Sequence, residues 1–254
     1  MSGLRDKRAR EGRWLTPPSR PRVNADEVHI WRASLMMREE EMVTLLRSLS
    51  EDELRHAYRL RLPRERARFI AARGILRNIL SRYLRTQPDL VRFGYNAYGK
   101  PELLDAEGDT QLRFNLSHAG RVVLYAVASG REVGVDVESV CDDVACAEVA
   151  AQFFSRGEAE ALAALPERSR TRAFYNCWTR KEAYIKARGM GLTLPLDCFD
   201  VSLAPGEPAA LLATRDDEPE AMRWSLREID VGPSHIAAVA VEGRGWRQCC
   251  WLWP

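Results

Sequence analysis

Two long segments with helical apolar spacing, Arg64–Arg85 and Arg170–Ala187, each lie among short strand-like runs, one in each half of the 254-residue chain. A helix of that length can bury its apolar stripe only against a second layer, and the neighbouring strands supply one. In the first segment Phe69, Ala72, Leu76, Ile79, Leu80 and Tyr83 share a stripe, with Arg66, Arg73 and Arg77 along one edge. In the second, Trp178, Glu182 and Ile185 recur at helical spacing. The order predicts an α+β fold of two related lobes. We place a basic arm at 1–22, an N-terminal lobe at 23–130 and a C-terminal lobe at 131–254.

The remaining elements follow from local pattern. Glu27–Ala33 alternates as a first strand, and Met36–Leu49 reads as a helix. Ser50 with Glu53 three residues later is a capping box that opens the next helix. Gln111–Leu116, Arg121–Ala128 and Glu132–Glu138 read as strands, the last two as a hairpin through Ser129-Gly130. Val144–Phe154 and Arg156–Ala164 are helical, and Phe199–Leu203, Ala209–Ala213, Arg223–Ile229 and His235–Val241 are short strands. The tail from Trp246 to Pro254 carries no motif.

Composition narrows the function classes. A formal net charge of +2 gives no global field for a polyanion. The basic run Arg59–Arg85 and the Arg/Pro-rich arm nevertheless keep open a competing reading as a nucleic-acid-binding module. Against it, no aromatic-basic recognition motif is present. No run of about 18 apolar residues spans a membrane, and the arm lacks the apolar core of a secretory signal. The six cysteines show neither metal spacing nor a disulfide framework, as expected of reduced thiols in a cytoplasmic protein.

Lysine is scarce: only Lys7, Lys100, Lys181 and Lys186 occur, and arginine carries nearly all other positive charge. Lys is a deprotonatable point charge where Arg is a permanently charged fork, so the retained lysines mark candidate sites. In Gly-Val-Asp-Val-Glu (134–138), strand alternation puts Val135 and Val137 on one face and Asp136 and Glu138 on the other. Two carboxylates side by side suit a hard divalent cation that also holds phosphate oxygens. Taken alone, the segment reads more simply as a half-exposed strand. Asn-Leu-Ser-His-Ala-Gly (115–120) offers Ser117 and His118 to a phosphate, and His118 to proton transfer. Tyr-Gly-Lys-Pro (98–101) is a turn that presents Lys100. Lys181, Glu182 and Lys186 read either as surface pairing or as a carboxylate that ligates metal or takes a proton between phosphate-holding lysines.

In this order, Gly-Lys-Pro, Asn-Leu-Ser-His, Gly-Val-Asp-Val-Glu and Trp-x-x-Lys-Glu-Ala-x-x-Lys, the chain resembles the Sfp-type 4′-phosphopantetheinyl transferases from roughly Arg64 through Val201. The resemblance implies transfer of the phosphopantetheine arm of coenzyme A to a serine of an apo acyl or peptidyl carrier protein, releasing adenosine 3′,5′-bisphosphate. The carriers would serve fatty-acid, polyketide or nonribosomal peptide synthesis. It implies Asp136, Glu138 and Glu182 as ligands of Mg²⁺, or of Mn²⁺ in its place. Glu182 assisted by Lys186 would accept the serine proton, with His118 a third catalytic candidate. Lys100, Ser117, His118, Lys181 and Lys186 would contact coenzyme A, with Arg66 and Arg73, or Arg68 or Arg77 in their stead, near the nucleotide. Trp178 would pack at the lobe interface, and Val144–Phe154 would meet the carrier. The resemblance also implies the fold, a pseudo-dimer of two similar α/β lobes with the site in the cleft between them, in a monomer that binds neither nucleic acid nor membrane. A catalytically dead relative that only binds carriers is a further alternative, disfavoured because every motif acid is present.

Overall fold

The computed structural model describes residues 13–104, 110–141, 146–215 and 219–254. Its strands are β1 (Trp14–Leu15), β2 (Glu27–Ser34), β3 (Phe93–Tyr95), β4 (Pro101–Leu103), β5 (Leu112–Ala119), β6 (Val122–Ser129) and β7 (Val133–Ser139), then β8 (Phe199–Val201), β9 (Leu211–Thr214), β10 (Trp224–Glu228), β11 (His235–Glu242) and β12 (Arg247–Leu252). The helices are α1 (Glu39–Leu46), α2 (Glu51–Arg59), α3 (Pro63–Leu84), α4 (Cys146–Phe153), α5 (Arg156–Ala164), α6 (Glu167–Arg188) and α7 (Glu220–Arg223). The class is α+β, as the pattern predicts.

Two sheets form the centre. One runs β1-β12-β2-β6-β5, the other β10-β11-β7. Val28, Ile30, Leu124 and Ala126 from the first meet Val133, Val135, Val137 and Val239 from the second in a shared apolar layer. The first sheet's outer face carries α3 through Trp31, Val123, Tyr125, Ile75, Leu76 and Ile79. The second sheet's outer face carries α6 through Ala183, Tyr184, Ile236, Ala238 and Ala240. The result is helix, sheet, sheet, helix, and each large apolar side chain so buried contributes about 1.5–3 kcal/mol.

The sequence-based hairpin between β6 and β7 does not form. β6 pairs antiparallel with β2 and β5, while β7 pairs antiparallel with β11. Ser129-Gly130 is indeed a turn, with Gly130 at φ 68. A turn signal says that the chain reverses, not which strand it then joins, and here it carries the chain from one sheet into the other. The hairpin lies one turn earlier, between β5 and β6, where Gly120 takes φ 57.

The motif-free tail is strand β12, parallel to β2 with Cys250 opposite Ile30, and Trp14 in turn lies opposite Cys250. The last strand of the segment expected in the second lobe therefore completes the sheet of the first. The boundary near residue 130 does separate β6 from β7, but the chain crosses back before it ends.

Candidate active site

β7 alternates as its sequence dictates. Val133, Val135 and Val137 enter the layer between the sheets, which turns Gly134, Asp136 and Glu138 towards α6. Gly134 is what lets that helix come close. A Cβ there would fall within the van der Waals envelope of the Ala183 carbonyl and the Ala187 amide. With the helix backbone this close, Glu182 and Lys186, one turn apart, are brought to the acids of β7.

Asp136 is 2% exposed and stands at the centre. Its Oδ1 accepts from Lys186 Nζ at 2.6 Å and from the Ser117 hydroxyl at 2.8 Å. Lys186 also donates to Ser117 Oγ at 3.0 Å. The other oxygen, Oδ2, is buried without a hydrogen-bond partner. An orphaned anionic oxygen at that depth is costly, and it marks a place where a cation would be welcome.

The electrostatics agree. Burial first, then the Asp136 charge, pushes Glu138 up to about 7, with Glu182 adding to the rise and Lys186 opposing it. Glu182 is also raised, by burial and then by Asp136, against the pull of Lys186. With Glu138 and Glu182 both raised beside Asp136, the site is short of positive charge. Among the described residues no acid, histidine or cysteine cluster forms a ready-made ligand cage. The donor set nevertheless fits a hard divalent cation, on the strength of three carboxylates and the buried free oxygen.

Across the site, side chains join β5 to β7. β5 and β7 are both edge strands of their sheets. Asn115 Oδ1 accepts the Val135 N–H at 3.0 Å, and two residues on, Ser117 reaches Asp136. Side chains thus bridge two edges that no backbone ladder joins.

Comparison with known proteins now bears directly on this arrangement. Residues 132–240 match the 4′-phosphopantetheinyl transferase superfamily, and residues 31–130 match the 4′-phosphopantetheinyl transferase N-terminal family. The 4′-phosphopantetheinyl transferase HetI of Nostoc sp. is 40% identical over 238 residues, covering 94% of this chain and 97% of its own. The chain belongs to the 4′-phosphopantetheinyl transferase superfamily. The 4′-phosphopantetheinyl transferase Sfp of Bacillus subtilis is 37% identical over 129 residues, 51% of this chain and 55% of its own. The protein is thus a transferase that attaches phosphopantetheine to carrier proteins.

Not every expected residue reaches the transferase's acids. Lys181 does not: it is 0% exposed, its Nζ lies 2.7 Å from Glu158 Oε2, and it donates to the carbonyls of Leu196 and Phe199 at 2.6 Å each. Adjacent helix positions point about 100° apart, so Lys181 and Glu182 cannot share a face. Its assignment to coenzyme A is therefore corrected to a buried structural cation. Arg73 is likewise committed inward, with Nε 2.6 Å from Glu53 Oε1 and its guanidinium over the Phe93 ring at 4.5 Å. Arg77 joins the same carboxylate and the carbonyls of Pro88 and Val91. Arg66 donates to the Leu60 carbonyl at 2.9 Å, which leaves its buried Nε without a partner.

His118 sits on the face of β5 opposite Ser117. Its ring is held below the ordinary histidine value by desolvation, against a backbone hydrogen bond and with the charges of Arg68 and Lys186 adding to the fall. Arg68, one of the alternatives to Arg66 and Arg73, is an arginine whose charge reaches His118. Lys100 is occupied: its Nζ bonds Glu132 Oε2 at 2.6 Å and the Ala187 carbonyl at 2.9 Å. Its loop also caps α6, because Asn96 donates to the Gly189 carbonyl at 2.8 Å where Gly189 turns left-handed at φ 66.

Trp178, expected at the lobe interface, packs instead within the second half: its ring is stacked on Phe174 at 6.0 Å and 22° and flanked by Phe153 at 6.1 Å. One contributor escapes a reading of the sequence, Asn115, and only the proximity of β5 to β7 reveals its role. The buried Glu158, by contrast, had a signal available: Ser155-x-x-Glu158 is a capping box, and the structure contains it.

Proposed function

We propose that the cleft between β7, α6 and β5 binds coenzyme A and moves its phosphopantetheine arm to a serine hydroxyl of an acidic apo carrier protein, releasing adenosine 3′,5′-bisphosphate. The observation that carries this reading is the buried, unpartnered Asp136 Oδ2 beside Glu138 and Glu182. Asp136, Glu138 and Glu182 would hold Mg²⁺, or Mn²⁺ in its place, and the ion would neutralise the pyrophosphate charge that builds as the serine attacks phosphorus.

The chain's own residues do the rest. Glu182, raised above the ordinary carboxylate value, accepts the serine proton. Lys186 steadies the acids and offers a further ammonium hydrogen to a phosphate oxygen. His118 and Arg68 line the approach as an acceptor and a permanent cation. Lys100 serves the nucleotide only by giving up Glu132. Trp178, stacked on Phe174, braces the helix that bears Glu182.

The same reading takes the chain as two lobes of one cytoplasmic monomer, free of nucleic acid. None of the six cysteines is disulfide-bonded, and among the described residues no helix is long and apolar enough to cross a membrane. The carriers would belong to fatty-acid, polyketide or nonribosomal peptide assembly.

The test is intact-mass spectrometry of an apo carrier protein incubated with the chain, coenzyme A and Mg²⁺, with an EDTA control. Gain of one phosphopantetheine arm, lost with EDTA, is expected. A gain that survives EDTA would remove the cation from the reading, and no gain on any carrier class would remove the donor assignment.

A further inference from the structure

Ser117, expected to touch coenzyme A, also stands inside a closed ring of hydrogen bonds. The residue is 9% exposed. Its one hydroxyl proton goes to Asp136 Oδ1 at 2.8 Å, and its oxygen accepts from Lys186 Nζ at 3.0 Å. Lys186 closes the ring on the same Asp136 oxygen at 2.6 Å. Three polar groups from β5, β7 and α6 thus determine one another's orientation. The backbone beneath Ser117 is fixed as well, because Asn115, on the same face of β5, holds the Val135 N–H at 3.0 Å.

We propose that Ser117 is a positioning residue of the transferase: its hydroxyl locks Asp136 and Lys186 together so that Asp136 Oδ2 is the oxygen presented to a divalent cation. The proposal rests on the reading of the site given above and deepens it. With Oδ1 taken by a hydroxyl and an ammonium, the carboxylate cannot rotate without breaking two bonds. Lys186, with two hydrogens spent inside the ring, has a single direction left for the third. Outer partners of this kind typically govern ligand geometry, and their loss costs about 10–100-fold in metal affinity.

The experiment titrates Mn²⁺ into the full chain, without coenzyme A or carrier, and follows the free ion by electron paramagnetic resonance. Coenzyme A affinity is measured separately by equilibrium dialysis in EDTA. Ser117→Ala is expected to weaken Mn²⁺ binding about tenfold or more while metal-free coenzyme A affinity stays as in the parent chain. Ser117→Thr, which keeps a hydroxyl, is expected to recover Mn²⁺ binding. Should the alanine variant not fold, Ser117→Cys supplies the same comparison with a far weaker donor. Unchanged Mn²⁺ binding with weakened coenzyme A binding would overturn the proposal and make Ser117 a direct phosphate contact. Because the parent chain's transfer activity is scored separately by intact mass, an inactive parent indicts the reading of the site. An active parent with an indifferent Ser117→Ala indicts the positioning role alone.

Discussion

The two 22-residue helices, α3 and α6, are built on one plan and put to different uses. Each follows a short helix opened by a capping box, Ser50 with Glu53 before α3 and Ser155 with Glu158 before α6. In both, the glutamate does double duty. Glu53 accepts the Ser50 N–H at 3.0 Å and Glu158 accepts the Ser155 N–H at 2.9 Å, while each also pairs with a buried cation of the long helix. Arg73 and Arg77 fill that place in the first half, Lys181 in the second. The equivalent lock in each half supports the two-lobe proposal better than sequence similarity does. The difference lies on the opposite face. α3 covers its sheet with apolar side chains, whereas α6 rides so close over Gly134 that Glu182 and Lys186 meet the β7 acids. On the proposed reading the metal-binding acids belong to one copy alone, where a glycine and a pair of acids replace ordinary packing.

The sharpest way to break this comparison is to remove the locks. Lys181→Met leaves Glu158 buried with its charge uncompensated and is expected to cost about 3–5 kcal/mol by urea unfolding. Arg77→Met should cost less, because Arg73 stays 2.6 Å from Glu53. Equal losses would mean that Arg73 does not stand in for Arg77 at Glu53. Gly134→Ala comes next, at about 1–3 kcal/mol or more for the overpacked contact with α6. It should also depress transfer by lifting Glu182 off β7. A variant as stable and active as the parent would show that the close approach is not needed.

How much of this was legible beforehand depends on what each residue's role requires. The strand alternation of 134–138, both long helices and the Ser50 capping box follow from local pattern, because a period or a cap is written in neighbouring residues. The partner of β7, the place of β12 and the burial of Lys181 and Arg73 are set by distant segments. Charged residues near a motif look functional until the fold shows which side of the helix they face. Glu182 and Lys181 make the point: adjacent in sequence, one faces the acids and the other the core.

An effect that leaves neutral pH untouched concerns the first half, which holds a buried titratable group of its own. His29, 3% exposed and bonded through Nδ1 to Tyr83 Oη at 2.7 Å, is lowered by burial to about 4, with Glu27 opposing and Arg247 adding to the fall. Between its unfolded value near 6.5 and about 4, the unfolded chain binds the extra proton. Stability from this group is therefore full above 6.5 and is lost as pH falls through that window. His29→Gln should flatten that limb of the stability profile, and an unaltered limb would assign it to other groups.

The decisive measurement compares the two neighbours on α6 in one assay, carrier phosphopantetheinylation by intact mass at a temperature where both variants are folded. Glu182→Gln is expected to fold as the parent does and to lose about 10²–10⁴-fold in rate, while Lys181→Met, though less stable, still loads the carrier. The reverse result, an active Glu182→Gln with a folded but inactive Lys181→Met, would contradict the division of labour along this helix.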